Sequence, residues 1–233
     1  DLARVAEIAN KHHVLLIVDS TITPPSVFSS RNFGVHVEVM STTKFISGGA
    51  TSFGGLIIDN GLYDWSQNPN CAAFAQKFGK DAFISRLRKN YYRNFGMPMT
   101  AHTANYMIAG LDILELRVER CYQNCMKLGE YFQQNARVKR VDYPGLKNSD
   151  YYQLSKEQFS GMPGSVMTFD LENQEECFRF MNRLQVIRRA TNLNDNKSLI
   201  IHPYSTIYNE FSEADRQMMG IRPSMMRLSV GIE

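Results

Sequence analysis

The sequence predicts an α/β fold, with a doubly wound, mostly parallel sheet in its first half and a smaller α+β unit in its second. Three observations carry this. Val14-Leu15-Leu16-Ile17-Val18 is an uninterrupted apolar run of strand length, the pattern of a parallel strand buried on both faces, and it stops at Asp19. An amphipathic helix precedes it and a second short, β-branched run follows it, so helix and strand alternate. A long seam of apolar residues at helical spacing then separates this part from a more mixed series of strands and helices.

Leu2, Val5, Ala6 and Ala9 share one face of residues 2–11, with Arg4, Glu7 and Lys11 on others, which makes a helix feeding the first strand. Thr23-Pro24-Pro25 turns the chain after Asp19. Residues 35–40 form the next strand, bounded by Gly34 and ending where hydroxyls begin. Phe53 to Asp59 is a further strand closed by Asp59-Asn60-Gly61. The segment from Trp65 to Gly79 shows little periodicity and is expected to be a loop. Asp81 to Tyr92 is expected to be helical, and its Arg86, Arg88 and Lys89, with Arg93 beyond, read as a solvated face. Met107, Leu111, Leu114, Val118, Cys121, Cys125, Leu128 and Phe132 make one long helix from about His102 to Gln134. Residues 138–141 and 165–171 read as strands and Gln174 to Leu184 as a helix. Ser212-Glu213-Ala214-Asp215 resembles a capping box for a short helix ending at Gly220. The last strand, 225–230, sets Arg227 and Ser229 opposite Met226, Leu228 and Val230.

A chain of 233 residues can bury a real core, and its 26 basic residues against 23 acidic ones form no sustained run of either sign. A net charge of +3 so dispersed argues against nucleic acid or a membrane surface as partner. No apolar segment approaches the length of a bilayer span and the first residues lack a signal-peptide pattern. The first strands need neighbours that residues 1–13 do not supply, and the chain opens on Asp1, so a fragment is expected. Cys71, Cys121, Cys125 and Cys177 form no CxxC pair and read as buried thiols in a reducing compartment, with no metal site.

Lys44 lies in Ser41-Thr42-Thr43-Lys44-Phe45-Ile46-Ser47-Gly48-Gly49, just past a strand end. Ser41 and Thr43, two apart, offer hydroxyls on one face of an extended segment, and the two glycines leave room for a ligand. Asp19 ends a neighbouring strand, at the carboxyl edge where open α/β sheets bind ligands. A surface lysine and an Asx-turn aspartate are the ordinary fates of these residues taken singly; together they make a site. Pyridoxal phosphate needs such a set: a lysine for a Schiff base, an acid for the pyridine nitrogen and donors for the phosphate. Arg227 is the candidate for a substrate carboxylate through two parallel hydrogen bonds, an internal salt bridge being its ordinary alternative.

Asp19-Ser20-Thr21-Ile22-Thr23-Pro24 and Ser41-Thr42-Thr43-Lys44-Phe45 resemble the signature of the Cys/Met-metabolism enzymes that use pyridoxal phosphate. Thr51 to Asp59, Leu116-Arg117-Val118-Glu119-Arg120, Tyr143-Pro144-Gly145-Leu146 and Arg227-Leu228-Ser229-Val230-Gly231 look like further blocks of that family. The resemblance implies the fold type I of pyridoxal-phosphate-dependent transferases. A partial large domain, 1–112, would precede a small domain, 113–233, entered by the long helix. It assigns Lys44, Asp19, Thr21, Ser41 and Thr43 to the cofactor, Lys44 to catalysis, and Arg227 and Asn192 to the substrate.

Thr191-Asn192-Leu193 looks like the O-acetylhomoserine sulfhydrylase branch, where lyases and cystathionine γ-synthases usually show Glu-Ser-Leu. The implied reaction is γ-replacement of acetate by sulfide to give homocysteine. Cystathionine γ-synthase, a γ-lyase and a catalytically silent fragment are the alternatives. A cytoplasmic homo-oligomer, a dimer of dimers, is the implied setting. Ser20 stands where the family commonly has Asn, Gly49 where sulfhydrylases often have His, and Ala50 where they have Gly. The family's phosphate loop and ring-stacking tyrosine are expected before residue 1, and part of the site from a neighbouring subunit.

Overall fold

The computed structural model describes residues 1–233. Helix α1 (Leu2–Lys11) is capped by Asp1, whose carboxylate accepts the Arg4 N–H at 3.1 Å, and it buries Ala6 and Ala9. Strand β1 (Ile17–Asp19) runs parallel to β2 (Val37–Ser41), with Asp19 opposite Val39. Strand β3 (Gly55–Asp59) returns antiparallel to β2, from Ser41 opposite Gly55 to Val37 opposite Asp59. The first sheet is therefore mixed rather than mostly parallel, because β3 follows β2 through one compact set of turns with no crossover helix.

The apolar run 14–18 is not enclosed on both faces. Val14 is 56% and Ile17 53% exposed, since β1 is an edge strand with β2 on one side only. Only its last part is regular strand.

The expected loop after Trp65 contains helix α2 (Ala72–Phe78), which three alanines favour and whose Phe74 and Ala75 pack on the cluster around Trp65. Helix α3 (Ala82–Arg86) runs into a π-helical stretch, Leu87–Tyr92, and then α4 (Arg93–Phe95), ended by Gly96 at φ +67°.

The long seam is two helices, α5 (Ala101–Leu111) and α6 (Leu114–Gln134), broken at Asp112 and Ile113. Just before the break, α5 meets the Lys44 loop. A Cβ on Gly110 would overlap the Ile46 carbonyl oxygen and come 2.8 Å from the Ser47 carbonyl carbon, so α5 presses its backbone directly on that loop. The Gly110 carbonyl accepts from Arg117 Nη2 at 2.7 Å, a side-chain donor from the next helix. Gly110→Ala is expected to destabilise by about 1–3 kcal/mol or more through this clash. A urea denaturation midpoint unchanged from wild type would refute the close approach.

The second sheet has the order β4-β5-β8-β7-β6, from β4 (Arg140–Asp142), β5 (Val166–Asp170), β6 (Arg188–Arg189), β7 (Leu199–Ile201) and β8 (Met225–Ser229). Helix α7 (Tyr152–Phe159) lies between β4 and β5, and α8 (Gln174–Arg183) after β5. Short α9 (Glu213–Met218) has the expected cap, Ser212 Oγ accepting the Asp215 N–H at 3.1 Å. Cys125 and Phe132 of α6 join Phe169, Met226 and Leu228 in the largest core cluster. Alternation along β8 thus buries Met226 and Leu228 and turns Arg227 toward the first sheet's turns. No helix is long and apolar enough to cross a membrane.

Candidate active site

β1 and β2 end side by side at one sheet edge, so the turns that follow Asp19 and Ser41 meet there. Thr21 ties them together. Its N–H donates to Asp19 Oδ1 at 2.9 Å, closing an Asx turn, and its Oγ1 accepts the Ser41 N–H at 2.9 Å. Asp19 keeps Oδ2 free of hydrogen bonds and is exposed on this chain.

Under this turn lies a network the sequence did not announce. Buried Glu38 accepts from the hydroxyls of Ser20 and Ser30, with no cation beside it, and Ser30 Oγ also accepts from Asn60 Nδ2 at 2.8 Å. A carboxylate inside an apolar strand was the available signal.

Past Ser41 the chain is not extended. Residues 42–48 coil into turns, closed by Ser47 N–H to the Thr42 carbonyl at 2.8 Å and Ser47 Oγ to the Thr43 carbonyl at 2.7 Å. The shared face expected of Ser41 and Thr43 is therefore absent. Thr43 is buried, its Oγ1 accepting the Gly54 N–H at 3.0 Å and donating to the Gly54 carbonyl over a long 3.4 Å. That second bond is weak enough for the hydroxyl hydrogen to turn to an anion while the first is kept. Ser41 makes no side-chain hydrogen bond and is half-buried.

Lys44 is half-buried, and its Nζ donates to Asn192 Oδ1. Burial pushes its pKa below the ordinary lysine value, the nearby Arg227 guanidinium pushes it further down, and Asp195 partly opposes them. Between the lowered and ordinary pKa the unfolded chain binds more protons than the folded one. The amine therefore adds to stability as pH rises through that window. Arg227→Gln is expected to raise the Lys44 pKa and Asp195→Asn to lower it. The pH dependence of Lys44 acylation by trace labelling reads both, and opposite signs would disprove the assignment of causes.

Arg227 has no carboxylate partner. Its Nη2 donates to the Thr191 carbonyl at 2.8 Å and the Asn192 carbonyl at 3.3 Å, while Nε is buried without any partner. Burial lowers its pKa, with Tyr208 opposing. The internal salt bridge considered from the sequence is thus not made. A desolvated guanidinium with an unused donor has the chemistry to pair with a carboxylate. Asn192 joins the two, its Oδ1 on Lys44 and its Nδ2 donating to Asp195 Oδ2 at 3.2 Å. Asp195, 8% exposed, was not anticipated from the sequence.

These residues fit pyridoxal phosphate. Lys44 supplies an amine held toward its neutral form, Asp19 a free carboxylate oxygen at the same sheet edge, and Ser41 a hydroxyl without another task. No cluster of three or more potential metal ligands exists in the chain.

Many known proteins are similar to this chain. The chain is 32% identical to the O-acetyl-L-homoserine sulfhydrylase of Corynebacterium glutamicum over 249 residues, covering all of this chain and 57% of that protein. It is 30% identical to the enzyme of the same name from Leptospira meyeri, covering 58% of it. Among solved structures it is similar to the O-acetylhomoserine sulfhydrylase of Wolinella succinogenes, with a TM-score of 0.87 and 42% identity over 100% of this chain and 63% of that one. A Campylobacter jejuni structure containing N'-pyridoxyl-lysine-5'-monophosphate gives a TM-score of 0.93 at 30% identity, over 100% of this chain and 59% of that one. The chain thus spans a little under three fifths of the length of these curated relatives. The family model for the Cys/Met metabolism PLP-dependent enzyme matches residues 1–233, and the chain belongs to that family.

Proposed function

We propose that the chain carries the lysine, acid and carboxylate-binding groups of an O-acetyl-L-homoserine sulfhydrylase. That enzyme converts O-acetyl-L-homoserine and sulfide to L-homocysteine and acetate in sulfur amino-acid metabolism. The observation that carries this reading is Asn192 bridging Lys44 and the arginine with no internal counter-ion, Arg227.

Pyridoxal phosphate, when bound, supplies an electron sink for the pair left at Cα when its proton is removed. Arg227 and the Asn192 loop hold the substrate carboxylate, which fixes Cα relative to Nζ of Lys44. Lys44, its pKa lowered by burial and Arg227, takes protons from Cα and Cβ and returns them. At Cγ the C–O bond breaks, acetate leaves with the electron pair, and sulfide forms the new C–S bond with its own. Asp19 Oδ2 would pair with a protonated ring nitrogen, and Thr21, Ser41 and Thr43 would hold the phosphate.

The helix break at Asp112 and Ile113 supports reading 1–112 as part of a cofactor-binding unit and 113–233 as the substrate-side unit. Exposed Phe95, Ile108 and Leu116, at 70%, 61% and 70%, support a homo-oligomer in which they are covered. Four buried free thiols suit a reducing, cytoplasmic setting.

The test is a product assay on the protein as its gene encodes it. Homocysteine formed from O-acetyl-L-homoserine and sulfide is expected, well above cystathionine formed with cysteine in place of sulfide or cleaved in the reverse direction. Dominant cystathionine synthesis or cleavage would move the protein to the synthase or lyase branch. Neither product, with cofactor bound, would make it catalytically silent.

A further inference from the structure

Residues 192–196 read Asn-Leu-Asn-Asp-Asn. Their three asparagines, at every second position, all reach across to the turns of the first sheet. Asn192 meets Lys44, Asn194 Nδ2 donates to the Thr21 carbonyl at 3.0 Å, and Asn196 Nδ2 donates to the Gly48 carbonyl.

Each of the last two carbonyls belongs to a turn that carries a group of the site. Thr21 closes the Asp19 turn, and Gly48 ends the run of turns, residues 42–48, that holds Lys44. On its own side, Asn194 is fully buried and its N–H donates to Ser229 Oγ at 2.7 Å, two residues along β8 from Arg227. Its backbone sits at φ +53°, a left-handed conformation that asparagine tolerates better than most residues. Asn196 is oriented by Arg117, whose Nη1 donates to its Oδ1 at 3.3 Å. Arg117, 5% exposed and without an acidic partner, also holds the end of α5.

Both amides point an N–H at a carbonyl oxygen. A carboxylate of the same shape would set acceptor against acceptor, so the sites require the amide. We propose that Asn194 and Asn196 are positioning residues that lock the carboxylate-recognition loop, residues 191–196, onto the two turns that carry Asp19 and Lys44. The proposal rests on the reading of Arg227 as a carboxylate receptor, because Thr191 and Asn192 of this loop aim its guanidinium.

Asn194→Asp and Asn196→Asp are expected to speed hydrogen exchange of the amides of residues 192–197 by roughly ten-fold or more, while β7 and β8 keep their protection. KM for O-acetyl-L-homoserine is expected to rise roughly ten-fold with kcat changed by less than about three-fold, since closing the loose loop draws on substrate binding. Should Asn194→Asp fail to fold, Asn194→Gly accepts the left-handed backbone and lacks the donor, so the same two changes are expected. Unchanged exchange and KM in Asn194→Gly would overturn the proposal. Faster exchange spread over β7 and β8 with KM unchanged would also overturn it, showing a purely structural role. If the wild-type protein turned over no homoserine ester, the proposed function would fall, yet the exchange measurements would still decide the lock.

Discussion

Replacing Lys44 with alanine is expected to lower homocysteine formation from O-acetyl-L-homoserine and sulfide by about 10³- to 10⁴-fold or more. The size follows from the two tasks proposed for one nitrogen: anchoring the cofactor and carrying the protons of Cα and Cβ. Charge alone does not perform either. Lys44→Arg keeps a cation opposite Asn192 Oδ1 but cannot give up its proton near neutral pH, so it is expected to be as inactive as the alanine variant. The fold should survive both changes, since Lys44 is only half-buried and makes one side-chain hydrogen bond. Visible absorbance of the bound cofactor should be altered in both variants, and added methylamine should restore part of the rate only in Lys44→Ala, which leaves space. Retention of a tenth of the wild-type rate by either would end the case for Lys44.

What the sequence revealed about this site was whatever depended on strand ends. The apolar run stopping at Asp19 and the β-branched run stopping at Ser41 were legible as strands, and parallel pairing of β1 with β2 necessarily brings their carboxyl ends together. Arg227 was legible because alternation along β8 separates it from Met226 and Leu228. Turn geometry was not legible. Thr43 was expected beside Ser41 on an extended face, but coiling of residues 42–48 sends its hydroxyl to the Gly54 backbone. Helix α2 was missed because its apolar residues pack locally around Trp65 rather than along a stripe. The break between α5 and α6, and the carbonyl pressed against Gly110 just before it, were hidden because an unbroken apolar seam says nothing of either. Asn194, Asp195 and Asn196 looked like any polar loop. The carbonyls that Asn194 and Asn196 meet on the first sheet's turns lie about 150 residues or more away in sequence, beyond any local pattern.

Arg227 allows charge and shape to be separated. Truncation to leucine would remove the desolvated partner proposed for the substrate carboxylate, a loss of about 2–5 kcal/mol, so kcat/KM should fall by roughly 30-fold to several thousand-fold, mainly through KM. Arg227→Lys keeps the positive charge near Lys44 but lacks the planar fork. An ammonium there cannot satisfy the Thr191 and Asn192 carbonyls and still present two parallel donors to a carboxylate. Its KM should therefore rise by roughly ten-fold or more. The two variants are expected to part company in their pH profiles. The guanidinium's charge helps to depress the Lys44 pKa, so its loss in Arg227→Leu should move the ascending, low-pH limb that depends on deprotonation of Lys44 toward higher pH. In Arg227→Lys that limb should move much less. If both variants shifted it equally, charge would not be what links Arg227 to Lys44. If neither raised KM, the carboxylate would bind elsewhere, and the unpaired Nε of Arg227 would be a cost without a use.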